Sequence, residues 1–216
     1  MKSAPEPNTT YLYLIRHGAT SSNEQRPYVL QGKGVNHGLS ETGKKQAAAV
    51  ANSLKEFSID HVFSSQLERA METARAIAEP HGHEISTFED LEECDVGDWE
   101  TMDWDSIMEQ YPEEYRKFIE NPAENPYVGG ESYADVLNRV KPRLQSLLEQ
   151  HVGQTIAVVA HNVVNRVYLS ELLGIELRKA KDIRQTNTGV NFIRYKDGET
   201  DLMTLNSVFH LDGLLG

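Results

Sequence analysis

The chain has 216 residues, 39% hydrophobic and 25% charged, enough for one substantial core, and no shift in composition marks a second domain. Its formal net charge of −12 repels nucleic acid and anionic lipid, and no long Lys/Arg run reverses that field locally. A mean hydropathy of −0.51 excludes a membrane protein.

The opening MKSAPEPNTT lacks the apolar centre of a signal peptide, and the longest aliphatic run, Ile156–Ala160, is too short to cross a bilayer. The expected location is cytoplasmic. A single cysteine, Cys94, precludes an internal disulfide and fits a reducing compartment. Residues 1–10 read as a disordered tail, and 11–216 as one domain. Tyr11 to Ile15 form a nearly continuous apolar strand, of the kind buried on both faces. After a Gly-rich loop, Gln31 to Gly38, Ser40 offers an N-cap, and Ala47, Val50, Ala51 and Leu54 follow at helical spacing, predicting a helix to about Phe57. HVFSS, 61–65, reads as a short strand. A second amphipathic helix follows, with Leu67, Ala70, Met71, Ala74, Ile77 and Ala78 on its apolar face and Pro80 closing it.

Asp98 to Val128 shows little periodicity and three prolines, and reads as a lid. TIAVVA, 155–160, is a third buried strand, running into a helix with Val163, Val164, Val167 and Leu172 that Gly174 stops. FIRY and DLMTL flank Lys196-Asp197-Gly198-Glu199, a hairpin signal. Strands alternating with amphipathic helices predict an α/β domain, a mostly parallel sheet with helices on both faces, plus a lid and a C-terminal hairpin. Ligands bind such sheets beyond the carboxyl ends of the strands. Arg16 and His17, then Ser64, Ser65 and Arg69, then His161 follow the three strands, and all are potential anion ligands.

Several phosphate signatures almost match. GLSETGKK, 38–45, has P-loop spacing, but position 45 is Lys where Mg²⁺ needs a hydroxyl, and no strand precedes it. A cysteine phosphatase needs an arginine six positions after its thiolate, and here that position is Glu100. DWDS, 103–106, resembles a catalytic aspartate pair but follows no buried strand. His81, His83 and Glu84 lack a third convincing ligand, so no metal is expected.

What remains is RHG followed by Asn23, then SSQLERAMETA, LEECDVGDWE, GGES and AHNVVNR. This ordered set resembles the histidine phosphatase superfamily, with its phosphoglycerate-mutase-like fold, from about Tyr11 to the C-terminus. The resemblance implies His17 as nucleophile, Arg16, Arg69 and His161 as phosphoryl ligands, and Glu93 as proton donor. It also implies a substrate loop at Asn23, Gln31 and Gly32, with GGES leading into the next helix. Three positions depart from the family pattern: Asn162 stands where glycine is common, beside the expected phosphate, Glu92 where arginine is frequent, and Thr101 where glycine usually follows the Glu.

The implied activity is a metal-independent and cofactor-free phosphomonoester hydrolase. Its partner is a small-molecule phosphate ester, with neither nucleic acid nor membrane engaged. The alternatives are a cofactor-dependent phosphoglycerate mutase and a non-catalytic phosphate-binding protein of the same fold. Substrate identity and oligomeric state stay open. Neighbouring arginines are expected to lower the pKa of His17 and keep its attacking lone pair free. The helix starting at Asn162 is expected to turn its positive end to the phosphoryl group.

Overall fold

The structure, a computed structural model, describes residues 4–214. The strands are β1 (Thr9–Arg16), β2 (His61–Ser64), β3 (Ile85–Thr87), β4 (Thr155–Ala160), β5 (Val190–Lys196) and β6 (Glu199–Ser207). They form one six-stranded sheet of order β3-β2-β4-β1-β5-β6. The first four strands are parallel, while β5 runs antiparallel to β1 and β6 antiparallel to β5. The mostly parallel sheet and its closing hairpin are thus both present. Asp197 and Gly198 each have positive φ, 54° and 89°, as a tight two-residue hairpin turn requires.

The helices are α1 (Ser21–Glu24), α2 (Glu41–Leu54), α3 (Glu68–Ala78), α4 (Trp104–Gln110), α5 (Pro112–Glu120), α6 (Tyr133–Gln150) and α7 (Asn162–Leu172). Along β1 the side chains alternate between two cores. Leu12 and Leu14 pack with α6 and α7 through Leu144, Leu148, Val164 and Val167, whereas Tyr13 and Ile15 pack with α2 and α3 through Val50, Leu54, Ala74 and Ile77. A strand covered on both faces has no polar side to show, which is why its sequence reads as one apolar run. Ser40 caps α2, its Oγ accepting from Gly43 N at 3.0 Å. Gly43 is glycine because α2 docks against the loop after β1: a Cβ there would lie 1.9 Å from the Ala19 carbonyl oxygen. Helix packing, not phosphate, accounts for the P-loop spacing.

One expectation is corrected. The disordered tail expected over residues 1–10 does not reach Thr9 and Thr10, because β1 starts at Thr9 and both threonines are buried. Thr10 Oγ1 donates to the Leu148 carbonyl at 2.8 Å, so its buried hydroxyl is satisfied inside the fold. Residues 1–3 of that tail lie outside the described residues. The segment expected as a lid, Asp98–Val128, carries α4 and α5. Asp103 caps α4, accepting from Ser106 N at 2.8 Å, and Pro112 opens α5 at its first turn. Trp99, Ile107, Phe118 and Tyr127 sink from this segment into the main core, with Phe118 and Tyr127 ring centroids 4.3 Å apart. Both helices are too short for periodicity to register, and aromatic packing holds them. Among the described residues, no helix is long and apolar enough to cross a membrane.

Candidate active site

The sheet order places β2, β4 and β1 side by side, so their carboxyl ends deliver Ser65, His161 and His17 to one place. His17 N donates to the Ala160 carbonyl at 3.0 Å, extending the ladder by one residue. The two imidazoles then face each other with ring centroids 5.1 Å apart. His17 Nδ1 lies 2.6 Å from the Gly18 carbonyl oxygen. A carbonyl can only accept, so Nδ1 carries the proton and Nε2 keeps its lone pair. Burial chiefly, then Arg69 and Arg16, hold the His17 pKa well below its usual value. The arginines act as expected, but desolvation is the larger cause.

Arg69 is wholly buried, with Nη1 donating to the Val35 carbonyl and Nη2 to the Gly32 carbonyl, each at 2.9 Å. It is no surface partner of the nearby acids: Glu68 pairs with Arg75, and Glu72 accepts from Leu39 N. Arg16 Nη1 donates to the Gln185 carbonyl at 2.7 Å. His161 Nε2 lies 2.6 Å from Ser65 Oγ, which also accepts from Leu67 N. With the hydroxyl proton given to Nε2, His161 keeps a proton on Nδ1. Arg16 Nε, Arg69 Nε, His161 Nδ1 and Gln31 Nε2 are all buried without a partner. Unsatisfied buried donors cost free energy, so these four mark the site as one built for a purpose other than stability.

A cavity of about 390 Å³ opens here, lined by Arg16, His17, Asn23, Gln31, Glu93 and Asn162 among others. Arg69 and His161 do not line it but lie fully buried behind. Gly32 does not line it either: its amide donates to Glu100 Oε1 at 2.7 Å and its carbonyl holds Arg69, so it positions the guanidinium. Asn23 Oδ1 accepts from Thr20 N at 3.2 Å and from Asn187 Nδ2 at 3.1 Å, tying α1 to the loop after α7. Gln31 Oε1 accepts from Thr20 Oγ1 at 2.7 Å, which aims its amide nitrogen.

Glu93 occupies the helix end that was expected to face phosphate. Its carboxylate accepts from Asn162 N at 2.9 Å, from Val163 N at 3.2 Å and from Cys94 N at 2.9 Å. The positive end of α7 is therefore spent on Glu93, and the carboxylate is fixed at the cavity wall. Arg139 holds the segment that carries Glu93, donating to the carbonyls of Asp90 and Glu92 at 2.9 and 2.8 Å and making a two-point pair with Glu131. Sequence reasoning missed this clamp, whose only trace is Glu131 in GGES. Arg139→Met is expected to cost about 1–3 kcal/mol of stability, because Glu131 keeps only the Asp95 amide and the carbonyls of Asp90, Glu92 and Glu93 lose a donor, measurable by denaturant unfolding.

Cys94 is no nucleophile, since burial and then the carboxylates of Glu93 and Glu131 push its thiol well above its usual pKa. Among the described residues no three His, Cys, Asp or Glu side chains converge as a metal site requires. Thr101 sits at φ 66°, the left-handed region where glycine is at ease, so the family's glycine has been replaced at the cost of local strain.

His161, like His17, is held well below its ordinary pKa, first by burial and then by Arg69. A depressed histidine is favoured neutral in the fold, so both contribute stability above the unfolded value near 6.5 that is lost as pH falls through the folded pKa. Unfolding free energy is therefore expected to drop below about pH 6.5, and His161→Gln to flatten that drop, as denaturant titrations over pH would register.

Comparison with known proteins agrees with this geometry. The family model for the histidine phosphatase superfamily (branch 1) matches residues 12–208. Phosphoserine phosphatase 1 of Hydrogenobacter thermophilus is 36% identical over 200 residues, 93% of either chain. Phosphoglycerate mutase-like protein 4 of Arabidopsis thaliana is 36% identical over 205 residues, covering 93% of this chain and 86% of its own. The structure of phosphoserine phosphatase from Entamoeba histolytica in complex with 3-phosphoglyceric acid superposes with TM-score 0.84 at 30% identity, over 94% of this chain and 99% of that one. Ordered motifs, sheet topology and sequence likeness over nearly the whole chain agree: the protein belongs to the histidine phosphatase superfamily, branch 1.

Proposed function

We propose that the protein hydrolyses a small phosphomonoester through a phosphohistidine on His17. The observation that carries this reading is the state of the His17 ring: proton pinned to the Gly18 carbonyl, Nε2 bare, among buried guanidiniums with unsatisfied donors. In the reading, Nε2 attacks phosphorus in line while the ester P–O bond breaks, and Arg16, Arg69 and His161 Nδ1 offset charge on the phosphoryl oxygens. Glu93 gives its proton to the departing oxygen. It then takes one from water, which attacks phosphorus, breaks the P–N bond and releases inorganic phosphate. The amides of Asn162 and Val163 keep the carboxylate where it can do both.

Two of the similar proteins are phosphoserine phosphatases by name, which supports hydrolysis of a metabolite ester. The mutase reading is favoured by the names of the Arabidopsis relative and of the probable phosphoglycerate mutases of Salmonella, 30% identical over 206 residues. An unpaired, buried thiol supports a cytoplasmic location within the same proposal. The test is a phosphate-release screen over metabolite esters with chelator present, run beside an isomerisation assay on 3-phosphoglycerate. Phosphate release without metal supports the hydrolase. Isomerisation without release would replace it with the mutase, and neither would leave only a binding role.

A further inference from the structure

The cavity beside His17 is more cationic than phosphoryl transfer needs. In a chain of net charge −12, its lining holds Arg16, Arg166 and Lys181, with Glu93 as the sole carboxylate, and Arg69 lies buried just behind. Arg69 has the carboxylates of Glu100 and Glu92 near it, and with Glu93 protonated, as a proton donor must be, a dianionic phosphoryl group answers two of the three cations that line the cavity. One positive charge is left over, and desolvating it without an anion is unfavourable.

Arg166 is the side chain on which that surplus falls. It is half-buried on α7, and its Nε donates to the Ile183 carbonyl at 2.8 Å, which fixes the plane of the guanidinium. Among the described residues, neither Nη group has a protein partner, and no acid pairs with it. Half-buried arginines placed for structure behave otherwise in this molecule: Arg139 pairs with Glu131 at 2.8 Å and Arg143 with Asp90 at 2.8 Å. A fixed planar fork with two unused donors facing a cavity matches one carboxylate. Lys181 lines the same cavity, donates to the Ile119 carbonyl at the end of α5, and supplies a second, point-like charge nearby.

We propose that Arg166, assisted by Lys181, forms a carboxylate subsite, so that the substrate is a phosphomonoester bearing a carboxylate on the carbons beside its phosphoryl-bearing oxygen. This deepens the hydrolase reading, on which only the placing of the phosphoryl group at His17 rests. An ammonium group on the substrate finds no counter-charge in the cavity apart from Glu93, so the carboxylate is the group selected.

The test compares 3-phosphoglycerate with glycerol 3-phosphate, which differ by a carboxylate against a hydroxymethyl group. Binding is measured by titration calorimetry in the His17→Ala protein, which keeps every subsite residue and cannot turn the ligand over. The carboxylated ester should bind about tenfold or more tightly. Adding Arg166→Met should bring the two affinities to within about twofold of each other, and Arg166→Lys should restore part of the preference. Equal affinities with Arg166 in place would overturn the subsite, as would a preference that survives Arg166→Met. Should Arg166→Met fail to fold, the first comparison still decides. If the preference is present but the wild-type protein releases no phosphate from any ester, the hydrolase reading fails and the subsite stands.

Discussion

His17→Ala is expected to reduce phosphate release by roughly a thousandfold or more and to abolish a phosphoenzyme that is labile in acid and stable in base. The argument rests on the order of causes at one ring. Burial removes the imidazolium, the two arginines remove it further, and the Gly18 carbonyl takes the remaining proton onto Nδ1. Nε2 is left with a free lone pair across the neutral range, and in the proposed reading no other group at the site replaces it. His161 Nε2 is engaged by Ser65, its buried Nδ1 carries a proton, and the Cys94 thiol is held protonated. Labelling with radioactive substrate followed by acid and base quench reads the intermediate directly. An intact acid-labile label in His17→Ala protein would move the nucleophile elsewhere. Since His17 is a buried neutral ring, the variant should stay folded and lose part of the destabilisation seen on acidification.

Glu93→Gln should lower kcat about a hundredfold to ten-thousandfold on alkyl phosphates, the usual worth of a positioned general acid. The loss should be far smaller for the phosphorylation of His17 by p-nitrophenyl phosphate, whose departing oxygen needs no proton. A pre-steady-state burst of nitrophenolate followed by slow turnover would show this, because dephosphorylation still lacks its base. Equal losses on both esters, without a burst, would reduce Glu93 to a helix cap. That structural part has its own signature. The amides of Cys94, Asn162 and Val163 now share the two oxygens of the Glu93 carboxyl, and an amide side chain offers only one oxygen to them. A stability loss of about 1–3 kcal/mol is expected beside the kinetic one, and unfolding curves separate the two.

Much of the site was legible because it is local. Arg16 and His17 end a strand whose apolar run is plain, and His161 ends another, so each could be placed at a sheet end before any coordinates were known. The short helices α4 and α5 were not legible, since aromatic contacts from Trp99 and Phe118, remote in sequence from much of the core they join, hold them in place. Nor was Thr10 near the start of β1, whose hydroxyl finds its partner, the Leu148 carbonyl, only after folding.

By itself, the sequence determined which chemistry this chain can carry: two imidazoles, two guanidiniums and a carboxylate in family order, on strands too apolar to lie anywhere but inside. Tertiary structure alone decided how those groups are deployed. Glu93 lies 69 positions before the amide of Asn162 that it caps, and Gly32 lies 37 before the arginine it fixes. A hydrogen bond over such separations has no local pattern to announce it, because only packing brings its two ends together. The same holds for the unpaired fork of Arg166, which shows its significance only once every acid that could have answered it is seen to lie elsewhere.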